Sequence, residues 1–246
     1  MRLILLFLFF CQAGLASANP LFKGFTTEYD VTRNNVYLGI STRQLFMRDQ
    51  GRTLDYGSST TPKGLVALLF SDRFIEHSLI RVTPQGLQPH RYDYQRTGGK
   101  KEITFQASFD WKQQRIHMSN TPDAQPLSAN TQDLLSFQLA LMEGLCQGQR
   151  QFSFHIVDHK RIQLQTLEYD KTIKMRTSHG ELDVLQLEHK AEKSDYRFTF
   201  WCAKQLHYLP IMIQKTEQDG DITKLKLKRL NDVEFRLLDQ DDDSYD

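Results

Sequence analysis

The sequence carries almost no net charge, because 31 lysines and arginines oppose 30 aspartates and glutamates. A protein that binds nucleic acid through its phosphates needs a basic surface, so this balance argues against that class. Two charge clusters near the end, "KLKLKR" and "LDQDDDSYD", have opposite signs. They are typical of a solvated strand face and, over residues 239–246, of an acidic disordered tail.

Long hydrophobic runs are also missing. A membrane-spanning helix needs about 20 consecutive apolar residues, and no stretch of this chain reaches that length. The apolar run Leu3–Phe10 follows one arginine and precedes small residues that end at Ala18, which is the pattern of a secretory signal peptide. We therefore expect residues 1–18 to be removed and the mature protein to be exported without a transmembrane segment. The alternatives are a retained membrane anchor and a lipid anchor on Cys11.

Side chains spaced for catalysis or metal binding are a third absence. In "HIVDH", His155 and His159 on a strand would lie about 13 Å apart, too far to share one ion. "GLCQG" resembles the elbow around a nucleophile, but that elbow needs a strand before it and a helix after it, and here the order is reversed. The spacing therefore predicts no metal site and no cofactor, and an enzyme is the least favoured class. Four polar residues remain as candidates for an enzymatic role: Glu76, Ser78, Asp133 and Ser136.

The sequence does contain many segments in which polar and apolar residues alternate. "FTTEYDV", from Phe25 to Val31, and "EITFQASFDW" both place every second residue on one apolar face. Such alternation predicts half-buried strands, and breaks such as "RNN", "TPQG" and "TSHGE" predict hairpins. No two strands are separated by a helix long enough for a parallel crossover. We therefore expect a mainly β, antiparallel fold over residues 19–238, either a strongly curved sheet or a partly open barrel.

One long apolar segment, "TQDLLSFQLALMEGLC", interrupts this pattern. The spacing predicts a helix over residues 131–144 that plugs or covers the concave face of the sheet, with Phe137 and Leu141 on its apolar side. Asp133 falls in the first turn, where a carboxylate suits the helix dipole and can cap free backbone amides. Ser136 is expected to make a small polar contact one turn on. Both residues therefore have a structural interpretation as well as an enzymatic one.

Cysteine is scarce, with three in 246 residues. Removal of Cys11 with the signal peptide leaves Cys146 and Cys202, an even count in an oxidising compartment. Cys202 continues the alternation of Phe198 and Phe200, so it should face the apolar side of its strand, where the predicted helix ends. These two residues are a candidate disulfide, and two buried free thiols are the alternative.

Several motifs together carry a family resemblance. They are "VYLGIST", "GLVALLF" followed by "IEHS", "YDYQRTGGKKE" leading into "FDW", "QDLLS", and "WCAKQLHYLPIMIQKTEQDG". In this order and spacing the chain resembles the bacterial envelope family known as domain of unknown function 3108, over nearly all of its mature part. The family tends to have Trp-x-Ala-Pro where this chain has Lys204 after Ala203. The resemblance implies an exported, mostly antiparallel protein of the Gram-negative periplasm, and it implies no activity.

Two functional hypotheses remain open. The first is a non-catalytic binding module or carrier, in which the sheet and helix enclose a cavity for a lipid or another hydrophobic envelope molecule. The second is a periplasmic accessory protein that binds an envelope protein partner in an outer-membrane or surface-polysaccharide assembly. The alternative for the large apolar residues is that they simply fill the core. The candidate ligand-binding residues are Tyr92, Tyr94, Phe109, Trp111, Phe137, Leu141 and Trp201.

Overall fold

The computed structural model describes residues 24–64, 67, 71–99, 101–189 and 196–232. The expected signal peptide, Cys11 and the acidic tail lie outside the described residues. Within them, fifteen strands form one sheet that surrounds one α-helix. The elements are β1 (Phe25–Arg33), β2 (Val36–Arg48), β3 (Thr53–Pro62), β4 (Arg73–Thr83), β5 (Gly86–Thr97), β6 (Ile103–Asp110), β7 (Arg115–Met118), β8 (Gln125–Pro126), β9 (Thr131–Asp133), α1 (Ser136–Cys146), β10 (Gln151–Val157), β11 (Ile162–Thr177), β12 (Gly180–His189), β13 (Tyr196–Ala203), β14 (Leu209–Glu217) and β15 (Ile222–Asp232).

The strands follow the alternation in the sequence. In β1, every second residue from Phe25 to Val31 is buried and the residues between them are partly exposed. At the first hairpin, Asn34 and Asn35 adopt φ values of 48° and 65°, a left-handed conformation that asparagine tolerates and that tight hairpin turns need. The prediction of a mainly β, antiparallel fold is confirmed.

The strand order explains the curvature of the sheet. It runs from β8 down to β1, then from β15 down to β9, so the first and last strands pair at the centre. Its two ends, β8 and β9, are consecutive in the chain, and residues 127–130 between them can span at most about 18 Å. The sheet must therefore bend until its ends approach each other, which gives an open barrel-like shape without a β8–β9 pairing.

The helix begins later than the sequence predicted. Residues 131–133 form β9, which pairs parallel with β10 and places Thr131 opposite His155. α1 then runs from Ser136 to Cys146, so Gly144 lies inside the helix rather than at its end. The single helix is confirmed, but it starts five residues later and ends two residues later than the predicted range of about 131–144. The later start has a physical reason, because a long-range strand pairing takes residues 131–133.

Curvature of the sheet encloses the helix on two sides. Phe137, Leu141 and Leu145 belong to a buried cluster built by β10–β14. Leu135, Leu139 and Met142 belong to a second cluster, which includes the inner faces of β1–β7. A helix that is apolar on opposite sides is buried on both, so α1 is a plug inside the sheet and not a cover over one face.

Both described cysteines are free thiols, so the expected disulfide is absent from this structure. Cys202 lies on β13 and is fully buried in the cluster that contains Phe200, whereas Cys146 is exposed at the end of α1. Burial raises the pKa of both thiols, that of Cys146 to about 11. Neither residue has the low pKa of an activated nucleophile. After Ala203, a short 3-10 turn, Lys204–Leu206, forms where the family tends to have proline.

Gly39 marks a close approach between β2 and β3. A Cβ atom added at Gly39 would lie 2.1 Å from the carbonyl oxygen of Thr61, which is backbone and cannot swing away. We expect Gly39→Ala to lower the free energy of unfolding by about 1–3 kcal/mol, because the two strands must separate. Urea denaturation followed by circular dichroism measures this.

Gly57 on β3 supplies the matched control, because a Cβ there would meet its nearest atom at 3.8 Å, an ordinary contact. Gly57→Ala should be neutral or slightly stabilising through the entropy of the unfolded chain. Equal stabilities of the two variants would contradict the close approach at Gly39.

Candidate ligand-binding site

A cavity of about 660 Å³ lies between the first turns of α1 and the sheet. Leu134, Phe137 and Gln138 form its helix side. The remaining lining comes from β1–β5 on one side and from β13–β15 on the other. The cavity is therefore enclosed by both arms of the curved sheet and by the helix between them.

One wall of the cavity is apolar. Phe137, Phe198 and Phe200 form it together with Ile213 and Leu225. The Phe137 ring centroid lies 5.6 Å from that of Phe200 and 6.2 Å from that of Phe198, so the three rings pack as one unit. Phe200 is fully buried on the inner face of β13, and this packing fixes the wall in place.

The lining from β2, β3 and β4, here called the polar wall, carries polar groups beside apolar residues such as Leu38 and Phe74. It consists of side chains on the inner faces of β2, β3 and β4, where residues two apart point the same way. The Thr60 hydroxyl donates a hydrogen bond to the Ser41 hydroxyl oxygen at 2.9 Å. Arg43, only 7% exposed, donates to the side-chain oxygen of Gln138 on α1. This wall therefore offers charge and hydrogen bonds in the same cavity as the aromatic rings.

Several charged side chains that line the cavity are partly exposed, and they define what we call its mouth. Arg96 pairs with Asp72 at 2.6 Å, Lys215 pairs with Glu217 at 2.7 Å, and Arg33 pairs with Asp221. Each of these cations is about one third to one half exposed, unlike Arg43. Exposed ion pairs contribute little stability, so these side chains can rearrange when a molecule enters.

Asp133 lies behind the polar wall and organises the start of α1. Its carboxylate accepts hydrogen bonds from the backbone N–H groups of Leu135 and Ser136, both at 2.8 Å, and from the Ser78 hydroxyl at 2.6 Å. The Ser136 hydroxyl accepts in return from the Asp133 backbone N–H at 2.9 Å. Burial raises the pKa of the Asp133 carboxyl, and these hydrogen bonds oppose the rise.

The structure thus places near one another the four residues that were candidates for an enzymatic role, Glu76, Ser78, Asp133 and Ser136. Ser78, Asp133 and Ser136 are fully buried and do not line the cavity. The Ser78 hydroxyl donates to a carboxylate that is already engaged by the backbone, and this arrangement holds a helix in place rather than activating a nucleophile. Glu76 differs from them, because its side chain lines the cavity and accepts from the Tyr92 hydroxyl at 2.6 Å.

Of the seven candidate ligand-binding residues, Phe137 lines the cavity. Tyr92 lies one hydrogen bond away from it, through Glu76. Phe109 and Leu141 fill the two buried clusters. Tyr92, Phe109 and Leu141 thus follow the alternative interpretation, in which large apolar residues build the core.

The other three aromatic residues are engaged elsewhere. The Tyr94 ring stacks on His159, with a centroid distance of 4.6 Å. The indole N–H of Trp111 donates to the Pro89 carbonyl at 2.7 Å, and that of Trp201 donates to the Gln186 side chain at 3.1 Å. None of the three lines this cavity.

Sequence reasoning overlooked Arg43 as a cavity residue. A signal was present, because Ser41, Arg43 and Leu45 share one phase of the alternation on β2, and Leu45 belongs to the core. A cation on the inward phase of a strand predicts a buried charge that needs a partner.

In the described part of the chain, no three His, Cys, Asp or Glu side chains are grouped closely enough to hold a metal ion. Among the same residues, no helix has the length and apolar character needed to cross a membrane.

Comparison with known proteins gives a family and a fold. The family described as "Protein of unknown function (DUF3108)" matches residues 28–228. A crystal structure of a beta-barrel-like protein of domain of unknown function DUF1849 from Brucella abortus is similar, with a TM-score of 0.55 and 12% identity. The similarity covers 85% of this chain and 97% of that chain, and it shows the fold alone. No curated protein matches.

Proposed function

Because this chain belongs to the DUF3108 family of proteins of unknown function, we propose its function from the cavity: it is a non-catalytic binding module or carrier for a hydrophobic molecule of the cell envelope. In this proposal, residues 1–18 direct the protein to the periplasm, where it holds the molecule between α1 and the sheet. The observation that carries the proposal is the cavity of about 660 Å³ with its wall of three phenylalanine rings.

The size and chemistry of the cavity support this function. Small-molecule sites in proteins typically measure about 300–1,000 Å³ and combine apolar walls with a few polar groups. Protein interiors otherwise pack closely, so a space of this size beside buried aromatic rings is unusual for a filled core. Burial of an alkyl chain against Phe137, Phe198 and Phe200 contributes about 0.8 kcal/mol per methylene group.

The test is direct binding together with recovery of the native ligand. We expect solvent extracts of protein purified from its own envelope to contain a hydrophobic molecule that mass spectrometry detects in stoichiometric amount. The purified protein should also bind a fluorescent long-chain fatty acid. An empty protein that binds no fatty acid, fatty alcohol or phospholipid probe would refute the carrier.

A matched pair of variants locates the binding. Thr60 faces the cavity on β3, and its neighbour Ser59 is exposed on the other face. Thr60→Trp should fill the cavity and weaken probe binding about tenfold or more, since it removes the space that the chain occupies. Ser59→Trp places the same residue on the outside and should bind like the wild type. Equal affinities would place the probe elsewhere on the protein.

The accessory-protein alternative rests on strand edges that could accept a partner. The two ends of the sheet are β8, with two residues, and β9, with three. Strand addition draws its affinity from a row of main-chain hydrogen bonds, and such short edges supply few of them. The binding module is therefore the better supported of the two functions.

A further inference from the structure

Arg43 is a buried cation placed against the cavity. It lies on the inner face of β2, is 7% exposed, and lines the cavity between Ser41 and the helix. Its guanidinium carbon lies 5.0 Å from the centre of the Tyr29 ring, and one terminal nitrogen donates to Gln138. The guanidinium nitrogen Nε is buried and has no hydrogen-bond partner among the described residues.

Arg43 forms no ion pair within the described residues, although its charge acts on the buried Glu76 carboxyl and on the Tyr56 phenol, which is hydrogen-bonded to it. Its aromatic neighbours Tyr29 and Tyr56 stay neutral, because burial raises the pKa of both phenols. Glu76 lies on the same wall, and its pKa is raised by burial although Arg43 and the Tyr92 hydrogen bond oppose the rise. A buried charge is costly unless it is closely paired, so an anion that entered the cavity and contacted Arg43 would lower that cost.

The position of the aromatic wall determines what kind of anion fits. Phe137, Phe198 and Phe200 line the same cavity as Arg43. Gln138, which accepts a hydrogen bond from Arg43, is the neighbour of Phe137 on α1. An inorganic anion would leave the apolar wall uncovered, and a plain hydrocarbon would leave the guanidinium unpaired. One molecule satisfies both walls when it has an anionic head and an alkyl chain.

We propose that the ligand is a single-chain anionic amphiphile, and that its carboxylate or phosphate head binds Arg43 inside the cavity while its chain packs on Phe137, Phe198 and Phe200. This inference rests on the proposed function and adds the head group and its orientation. A guanidinium group presents paired N–H donors that match two oxygens of a carboxylate or phosphate, which is the geometry that favours arginine over lysine. The head therefore points inward, and the paired cations at the mouth are not its site.

The experiment compares three probes of equal chain length on the wild-type protein: a long-chain fatty acid, the corresponding fatty alcohol, and the corresponding alkyl phosphate. Titration calorimetry should show that the fatty acid or the alkyl phosphate binds at least about tenfold more tightly than the alcohol, because a charge-assisted hydrogen bond is gained. The stronger of the two anions identifies the head group. This comparison needs no variant, so folding of a mutant cannot confuse it.

Variants then assign the anion to Arg43. Arg43→Met should bring the tighter-binding anion down to the affinity of the alcohol while the alcohol keeps its own affinity. Arg43→Lys keeps the charge but lacks the planar edge, and should recover only part of the difference. Arg96→Met at the mouth is the matched control and should preserve the preference for the anion.

The outcomes separate the two proposals. If the alcohol binds to the wild type as tightly as both the fatty acid and the alkyl phosphate, the cavity is a carrier but the anionic head is refuted. If Arg96→Met removes the preference and Arg43→Met does not, the head lies at the mouth and the inward orientation is wrong. If no probe binds, the proposed function itself fails.

Discussion

Asp133→Ala is expected to lower the free energy of unfolding by about 3–5 kcal/mol. The wild-type carboxylate accepts three hydrogen bonds at a fully buried position, and alanine leaves those three donors without a partner. Each buried donor that loses its partner costs about 1–3 kcal/mol, and relief of the buried charge offsets part of that sum. Since whole domains are stable by about 5–15 kcal/mol, equilibrium urea unfolding should show a large shift in midpoint.

Two further substitutions separate the hydrogen bonds from the charge. Asp133→Asn keeps an oxygen for the two backbone N–H groups, so it should lose only about 1–2 kcal/mol. Asp30→Ala is the control at an exposed aspartate, whose partner Lys228 lies 3.1 Å away, and it should change stability by less than about 1 kcal/mol. A loss for Asp133→Ala no larger than that for Asp30→Ala would contradict the role assigned to the buried carboxylate.

The strands could be predicted from the sequence because their signal is local. The segment "FTTEYDV", predicted as a strand, lies within β1, and the asparagines of the first hairpin adopt the conformation that their position suggested. A side chain that alternates between core and solvent reports its own environment, without reference to distant parts of the chain. The general architecture therefore followed from periodicity and turn chemistry.

Features that depend on distant pairing could not be predicted in this way. Nothing near β1 in the sequence specifies that β15 lies beside it, and nothing near Thr131 specifies its pairing with β10. That second pairing moved the start of α1 from the predicted position to Ser136. Asp133 keeps its contact with the first turn in spite of the shift, because its side chain reaches forward to the backbone of Ser136.

The residues of the cavity were predicted only in part, because the candidates were chosen for their large apolar side chains and the sequence does not show where in the fold each one lies. Aromatic residues such as Tyr94 and Phe109 are large and apolar, but the core is where such residues are most often found. The cavity instead depends on small and polar residues at inward positions, such as Ser41 and Ser58, whose short side chains leave space. Phe137 was identified because it lies on the apolar side of a helix that was expected to pack against the concave face of the sheet.

Phe200→Ala is expected to lower the free energy of unfolding by about 3–5 kcal/mol. The Phe200 ring is fully buried and packs edge-on against Phe137, with 5.6 Å between centroids. Its removal takes away contacts that hold α1 against the sheet. The neighbouring residues cannot collapse into the new space without moving the helix, so the cavity should grow.

Thermal and urea unfolding measure the loss, and Phe46→Ala is the matched control because Phe46 is 53% exposed on β2. That control should change stability by no more than about 0.5 kcal/mol. A hydrophobic probe that occupies the cavity binds the folded state alone, so at saturation it should raise the midpoint of Phe200→Ala and recover part of the loss. If the probe stabilises neither the wild type nor Phe200→Ala, the enlarged space is not continuous with a binding cavity, and the aromatic wall serves the core alone.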